Sequence, residues 1–221
     1  MLGRLDEAAQ SFALAVATKE RSLGRDHPDV AISLSNLGWT LTLIGRYDEA
    51  EAALSRAQEI HRRSLPDDNA LQAALVTNLG DLAVARGRHQ EAERHYRQAI
   101  LQFEKTVGAD PPSLPLPLTG LGRALLAQGR FEEAQAQLGR ALRLQLAHPG
   151  DAVELADTRA VLARVLVAAG GDGARAEELL GQALDGYRSA GPRGRRGLDE
   201  LTAWRADRGT IKDAPRTGSG P

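Results

Sequence analysis

Histidines, carboxylate pairs and a glycine-rich turn are the groups in this sequence that could do chemistry, and their spacing argues against it. His89 and His95 are six residues apart, on different faces of any helix, and neither has the set of further ligands a zinc ion needs. Gly170-Gly171-Asp172-Gly173 resembles a phosphate loop on the surface only. It lacks the following Lys-Ser/Thr pair and comes after a helical pattern rather than a strand, so it reads as a turn. Acidic pairs such as Asp48-Glu49 recur at fixed intervals with the fold, which makes them first-turn helix charges and not general acids. Arg193, Arg195 and Arg196 have the chemistry to meet phosphate or lipid, but three charges at a turn read as a solvated cap. There is no cysteine, so disulfides, thiolate metal sites and cysteine nucleophiles all drop out. The sequence therefore offers no catalytic constellation, no metal site and no cofactor.

The 221 residues carry 28 Lys+Arg against 29 Asp+Glu, a net charge of −1. A nucleic-acid surface needs a basic excess, and none is present. The longest apolar stretch, 161–169, is interrupted by Arg164 and is far short of the roughly 20 residues that span a bilayer. Asp6 and Glu7 break any signal-peptide pattern. The expectation is a cytoplasmic chain whose described segment makes no direct membrane contact.

What the sequence does specify is a repeat. Gly-Arg-x-x-Glu-Ala occurs at 3–8, 45–50, 87–92 and 129–134, always 42 residues apart, with a decayed copy in register at 171–176. The pairs Leu37-Gly38, Leu79-Gly80 and Leu121-Gly122 keep the same period, with Ala163-Arg164 in the last place. Each unit reads as two antiparallel helices. Leu34, Leu37, Gly38 and Leu41 make one helical stripe and Ala50, Leu54 and Ala57 another. Gly45 between them fits a left-handed cap, and Gly38 and Ala50 mark a close approach of two backbones.

These residues resemble the tetratricopeptide repeat: Leu34-x2-Leu37-Gly38-x2-Leu41, then Ala50-x3-Leu54 and Ala57, with Val76, Leu79, Gly80, Ala83, Ala92, Tyr96 and Ala99 in the next unit. Leu118, Leu121, Gly122, Leu125, Ala134, Leu138 and Ala141 give the third. The 42-residue period and the segment Leu23-Gly24-Arg25-Asp26-His27-Pro28-Asp29 are similar to the kinesin-light-chain type. The resemblance implies an all-α, right-handed superhelical solenoid of antiparallel helix pairs. The expected divisions are repeats at 28–64, 70–106 and 112–147, a degenerate repeat at 154–189, a capping helix at 192–208 and a disordered tail at 209–221. Pro111, Pro112, Pro115 and Pro117 are expected to shorten the start of the third unit's first helix.

Residues 1–19 match only a second helix, with Ala8, Phe12 and Ala15 where Ala50, Leu54 and Ala57 stand one period on. That orphan helix suggests a fragment of a longer chain, and it offers a surface for self-association. The C-terminal portion is similar, more loosely, to the repeat region of large bacterial serine/threonine protein kinases. An alternative reading is thus a kinase's docking region whose catalytic domain lies elsewhere, since no kinase signature occurs in these residues.

The resemblance implies a protein or peptide partner bound in the concave groove. Counting through the register, the face opposite the leucine stripe holds Ser35, Asn36 and Trp39, then Thr77, Asn78 and Asp81, then Thr119 and Arg123, then Val161 and Val165. In related repeats the asparagine at the Asn36 and Asn78 positions hydrogen-bonds a peptide backbone. Trp39 is either an exposed anchor or packed beneath the orphan unit. The basic clamp for a C-terminal carboxylate is not reproduced, because the equivalent column reads Trp39, Asp81, Arg123, Val165.

Overall fold

The computed structural model describes residues 2–64, 70–108 and 111–212. Its helices are α1 (Leu2–Leu23), α2 (Pro28–Leu43), α3 (Tyr47–Ser64), α4 (Ala70–Ala85), α5 (His89–Val107), α6 (Pro115–Ala127), α7 (Phe131–Ala147), α8 (Ala152–Ala168), α9 (Gly173–Ser189) and α10 (Arg195–Lys212). A 3-10 turn, Gly191–Arg193, precedes α10, and the described residues contain no strand. The chain divides into two compact units, Met1–His148 and Pro149–Pro221. The tail expected at 209–221 lies outside the described residues from 213 onward, and α10 runs through residue 212.

At 45–50, 87–92 and 129–134 the recurring Gly-Arg-x-x-Glu-Ala is a helix stop and a helix start in six residues. Gly45 takes φ +82°, its N–H donates to the Thr42 carbonyl (3.2 Å), and the Arg46 N–H donates to the Leu41 carbonyl (2.9 Å). This is a Schellman closure of α2, which needs a residue tolerant of positive φ at that point. Arg46 then forks onto the Glu49 carboxylate at 2.7 and 2.6 Å across the first turn of α3. Ala50 follows, fully buried at the close approach. Arg130 repeats the fork on Glu133 at 2.6 and 2.7 Å. The same arginines also reach back one repeat, Arg88 to Glu51 at 3.2 Å and Arg130 to Glu93 at 2.6 Å. The exposed Arg46–Glu49 and Arg130–Glu133 pairs contribute about 0.2–1 kcal/mol each, whereas the Arg88–Glu51 and Arg130–Glu93 pairs are part-buried.

Packing within each pair rests on glycine. A Cβ on Gly38 would lie 2.5 Å from Leu54 Cγ, and one on Gly122 would lie 2.5 Å from Leu138 Cγ. Side-chain bulk at these places would drive the paired helices apart. The entry to α2 is capped by His27, whose Nδ1 accepts from the Asp29 N–H at 3.1 Å ahead of Pro28. α6 has 13 residues against 16 in α2 and in α4. It starts at Pro115 rather than at 112. Pro115 and Pro117 sit in its first turn, where the missing N–H groups have no helical acceptor to lose.

α1 lies against α2, burying Ala9 and Val16 in the core shared by α2 and α3. Lys19 Nζ donates to the Asp29 carbonyl at 3.2 Å, and Glu20 pairs with Arg56 at 2.5 Å. Ala8, Phe12 and Ala15 are only half-buried, whereas Ala50, Leu54 and Ala57 are fully buried.

His61, near the end of α3, is buried, and among the described residues neither ring nitrogen has a hydrogen-bond partner. Burial holds its pKa below the usual imidazole value. The unfolded chain binds a proton there at about pH 6.5, while the folded chain resists it to lower pH. Neutral His61 is therefore fully compatible with the fold above about pH 6.5, and stability falls as pH drops toward the depressed folded value. Phe103 stands at the same place one period on. His61→Phe is expected to flatten the fall in thermal midpoint below about pH 6.5; an unchanged slope would show that another group carries it.

In the second unit the turn differs from the register expected. Gly170, not Gly171, takes positive φ (+66°), and the Gly171 N–H donates to the Leu166 carbonyl at 2.9 Å. α8 thus closes one residue early. The arginine of the motif is replaced by a true cap, with Asp172 Oδ1 accepting from the Arg175 N–H at 3.0 Å. Asp172→Ala should cost about 1 kcal/mol, read by denaturation of the second unit; no change would mean solvent replaces the cap without loss. The close approach also moves, since a Cβ on Gly186 would lie 3.0 Å from Ala156 Cβ.

One period beyond Glu154 falls on Arg196, in the first turn of α10, which therefore stands where the first helix of another repeat would. Its Leu201 is buried, and the Arg164 guanidinium carbon lies 5.3 Å from the Trp204 ring centroid. Arg164, the odd residue in the Leu-Gly column, is accounted for by that tryptophan. Thr202, Arg205 and Ala206 occupy the places of Leu34, Leu37 and Gly38 and are exposed.

Candidate partner-binding surface

A first helix inside a stack has packed neighbours on two faces. α2 packs on its own partner α3 and also on α4, the first helix of the next pair. Only a narrow strip is left facing solvent. The register between neighbours is set by Asn78, whose Nδ2 donates to Ser35 Oγ at 2.9 Å.

This geometry corrects part of the expected groove. Ser35, Thr77 and Thr119 are buried, in the layer between consecutive first helices rather than on the surface. Thr77 Oγ1 donates to the Ala73 carbonyl at 2.9 Å, so its hydroxyl is satisfied within its own helix. Val161 and Val165 of the second unit are buried as well. The error came from treating each first helix as having one packed face. A residue one step from the leucine stripe turns about 100° around the helix, into the neighbouring repeat, and not 180° to solvent.

What stays on the strip of the first unit is Asn36 and Trp39 on α2, Asn78 and Asp81 on α4, and Arg123 on α6. Trp39 keeps 42% of its surface exposed. Asn36 and Arg123 are exposed, while Asn78 and Asp81 are half-buried. The amide donor of Asn78 is directed at Ser35, so the peptide-binding role implied for that asparagine competes with a structural one.

Beneath the strip lies a residue that the groove reading passed over. Tyr96 of α5 is fully buried, and its hydroxyl donates to Asp81 Oδ1 at 2.6 Å. Its ring sits between two glycines, where a Cβ on Gly80 would come within 2.7 Å of it and one on Gly120 within 2.4 Å. Burial, and then the Asp81 carboxylate, push the phenol pKa well up, with Arg123 acting in the opposite sense. The hydroxyl therefore remains a proton donor. The available signal was Gly120, a second glycine two residues before Gly122 that the repeat pattern does not require. Leu71 and Leu116 are also exposed on the first helices, 43% and 47%, in line with the Asn36 and Asn78 column by helical spacing.

The sequence profile of the tetratricopeptide repeat matches residues 1–63, 70–147 and 117–189. The chain belongs to the tetratricopeptide repeat family. Tetratricopeptide repeats generally bind other proteins through the extended surface that stacking creates. Among solved structures, the repeats are similar to a candidate kinesin light chain of Podosopora anserina with nearly identical TPR-like repeats. One crystal form, a Gln-to-Met variant, aligns at 25% identity and TM-score 0.63 over 85% of this chain and 89% of that one. Another crystal structure of that protein aligns at 25% identity and TM-score 0.62, over 86% and 90%. BtubC (BKLC) from P. vanneervenii shares the fold, with TM-score 0.69 at 23% identity over 86% of this chain and 76% of that one. No curated protein gives a significant match. Among the described residues, no helix is long and apolar enough to cross a membrane, and no group of three His, Asp or Glu is placed to hold a metal ion.

Proposed function

We propose that the first unit binds an extended segment of a partner protein along the strip formed by α2, α4 and α6. The observation that carries this reading is Trp39. A tryptophan left 42% exposed beside exposed Asn36 has the makeup of an interface anchor: a large apolar face with polar neighbours to fix a peptide backbone. Leu71 and Leu116 supply further apolar steps along the same helices, and Asp81 and Arg123 supply charges of opposite sign. The strip lacks the concentrated basic charge of a carboxylate clamp, which favours internal segments of a partner over free C-termini.

Selection of random displayed peptides against the full chain tests the proposal. Binders are expected whose capture is lost on the Trp39→Ala variant with its helicity intact. Binders indifferent to Trp39 would move the site elsewhere.

A further inference from the structure

The edge formed by α1 and α2 repeats, uncovered, a packing that the first unit shows covered one period on. α2 is held from two sides: Gly38 lies against Leu54 of α3, and Ser35 Oγ accepts from Asn78 Nδ2 of α4 at 2.9 Å. One period earlier, the place of Leu54 is taken by Phe12 of α1 and that of Asn78 by Asn36 of α2. α1 packs on α2 as α3 packs on α4. Phe12 and Asn36 therefore flank a place for one helix, equivalent to the place α2 fills between α3 and α4. Tyr96 keeps the same rule another period on, its ring meeting Gly80 of its own pair and Gly120 of the next. Burial shows that no described helix covers the earlier place. Ala50, Leu54 and Ala57 are fully buried, whereas Ala8, Phe12 and Ala15 are half-buried, and Asn36 is exposed where Asn78 is half-buried.

The helices that fill such places share a chemistry. Each sets a hydroxyl three residues ahead of its close-approach glycine: Ser35 and Gly38, Thr77 and Gly80, Thr119 and Gly122. An apolar residue stands just before the hydroxyl and another three after the glycine, as Leu34 and Leu41 do in α2. We propose that the α1–α2 edge binds a helix of another protein with this pattern, apolar-[Ser/Thr]-x2-Gly-x2-apolar. Phe12 packs on its glycine, and the Asn36 amide donates to its hydroxyl. Ala8 and Ala15, one turn to either side of Phe12, leave room for its two apolar residues. A folded second copy does not supply this helix, because Gly38, Gly80 and Gly122 already face Leu54, Tyr96 and Leu138 of their own pairs. An isolated helix of α2's 16 residues is marginal in water, so the partner helix folds as it docks and binds with modest affinity. The inference does not rest on Trp39.

The test uses the chain's own pattern as the probe. A fluorescently labelled synthetic peptide of residues 28–43 is titrated into the full chain and followed by anisotropy. Saturable binding is expected, and Gly38→Leu in the peptide should abolish it. Phe12→Ala in the protein should weaken it about 30-fold or more. Phe12 also packs within its own chain, so the decisive variant is Asn36→Ala in the protein, where the side chain is exposed. That change should weaken the unaltered peptide several-fold and leave the affinity of a Ser35→Ala peptide unchanged, the coupling expected of a direct hydrogen bond. Equal losses with both peptides would overturn the assigned contact. No binding, or binding indifferent to Phe12 and to the peptide glycine, would overturn the inference. Binding lost on Trp39→Ala but kept on Phe12→Ala would put the peptide on the strip, overturning the edge assignment while leaving the strip reading standing.

Discussion

Tyr96→Ala is expected to destabilise the first unit by about 3–5 kcal/mol, the range for deleting a fully buried aromatic ring. The upper part of that range applies, for three reasons. The ring has no exposed surface to discount. The residues flanking it are Gly80 and Gly120, which have no side chains able to collapse into the void. Its loss also removes the charge-assisted hydrogen bond that its hydroxyl donates to Asp81. Because Tyr96 of α5 touches Gly80 of α4 and Gly120 of α6, the deletion strikes both the pair and its junction with the next repeat. Repeat stacks are held by such nearest-neighbour terms, so chemical denaturation should lose cooperativity as well as midpoint. The converse change carries a sharper signature. Gly120→Ala alone forces a methyl group into the ring and should be destabilising. Tyr96→Leu, the residue type found at 54 and 138, should relieve much of that clash. The double-mutant cycle is then expected to show coupling of about 1–3 kcal/mol. Additive effects would mean that the ring and the glycine do not meet.

The pairing of helices was legible because its causes are local. A positive-φ glycine, an arginine–glutamate fork and a small residue at the close approach all fit within six consecutive positions, and they recur every 42 residues. The strip was legible only in part. Trp39, Asn36 and Arg123 came out exposed as read, whereas Ser35, Thr77 and Thr119 were drawn into the layer between repeats. That layer is made by contacts 42 or 43 residues distant, and no local pattern announces it. The fourth turn failed for a similar reason. Gly170 and Gly171 are adjacent, and the alignment chose the one in register, while the helix ended where its hydrogen bonds closed best. Arg164 looked like decay of the motif until Trp204, forty residues later, supplied its partner.

Trp39→Ala should weaken a selected peptide by about 2 kcal/mol or more, roughly 30-fold in Kd, while leaving the fold intact. The two halves of that expectation have separate grounds. The effect on binding follows from the residue type, because tryptophan presents more rigid apolar area than any other side chain and its exposed part gains most on being covered. The small effect on folding follows from position. Its helix is held by Leu34, Leu41 and the Gly38–Leu54 contact, all on other faces. Trp39→Phe should recover part of the loss, since a smaller aromatic face survives. Asn36→Ala should cost less than Trp39→Ala, because a hydrogen bond at an exposed site is partly replaced by water. Titration calorimetry of each variant, with helicity checked by circular dichroism, orders the three. Should Asn36→Ala cost more than Trp39→Ala, the strip would be reading backbone polarity first, and the apolar anchor would have to be sought at Leu71 or Leu116.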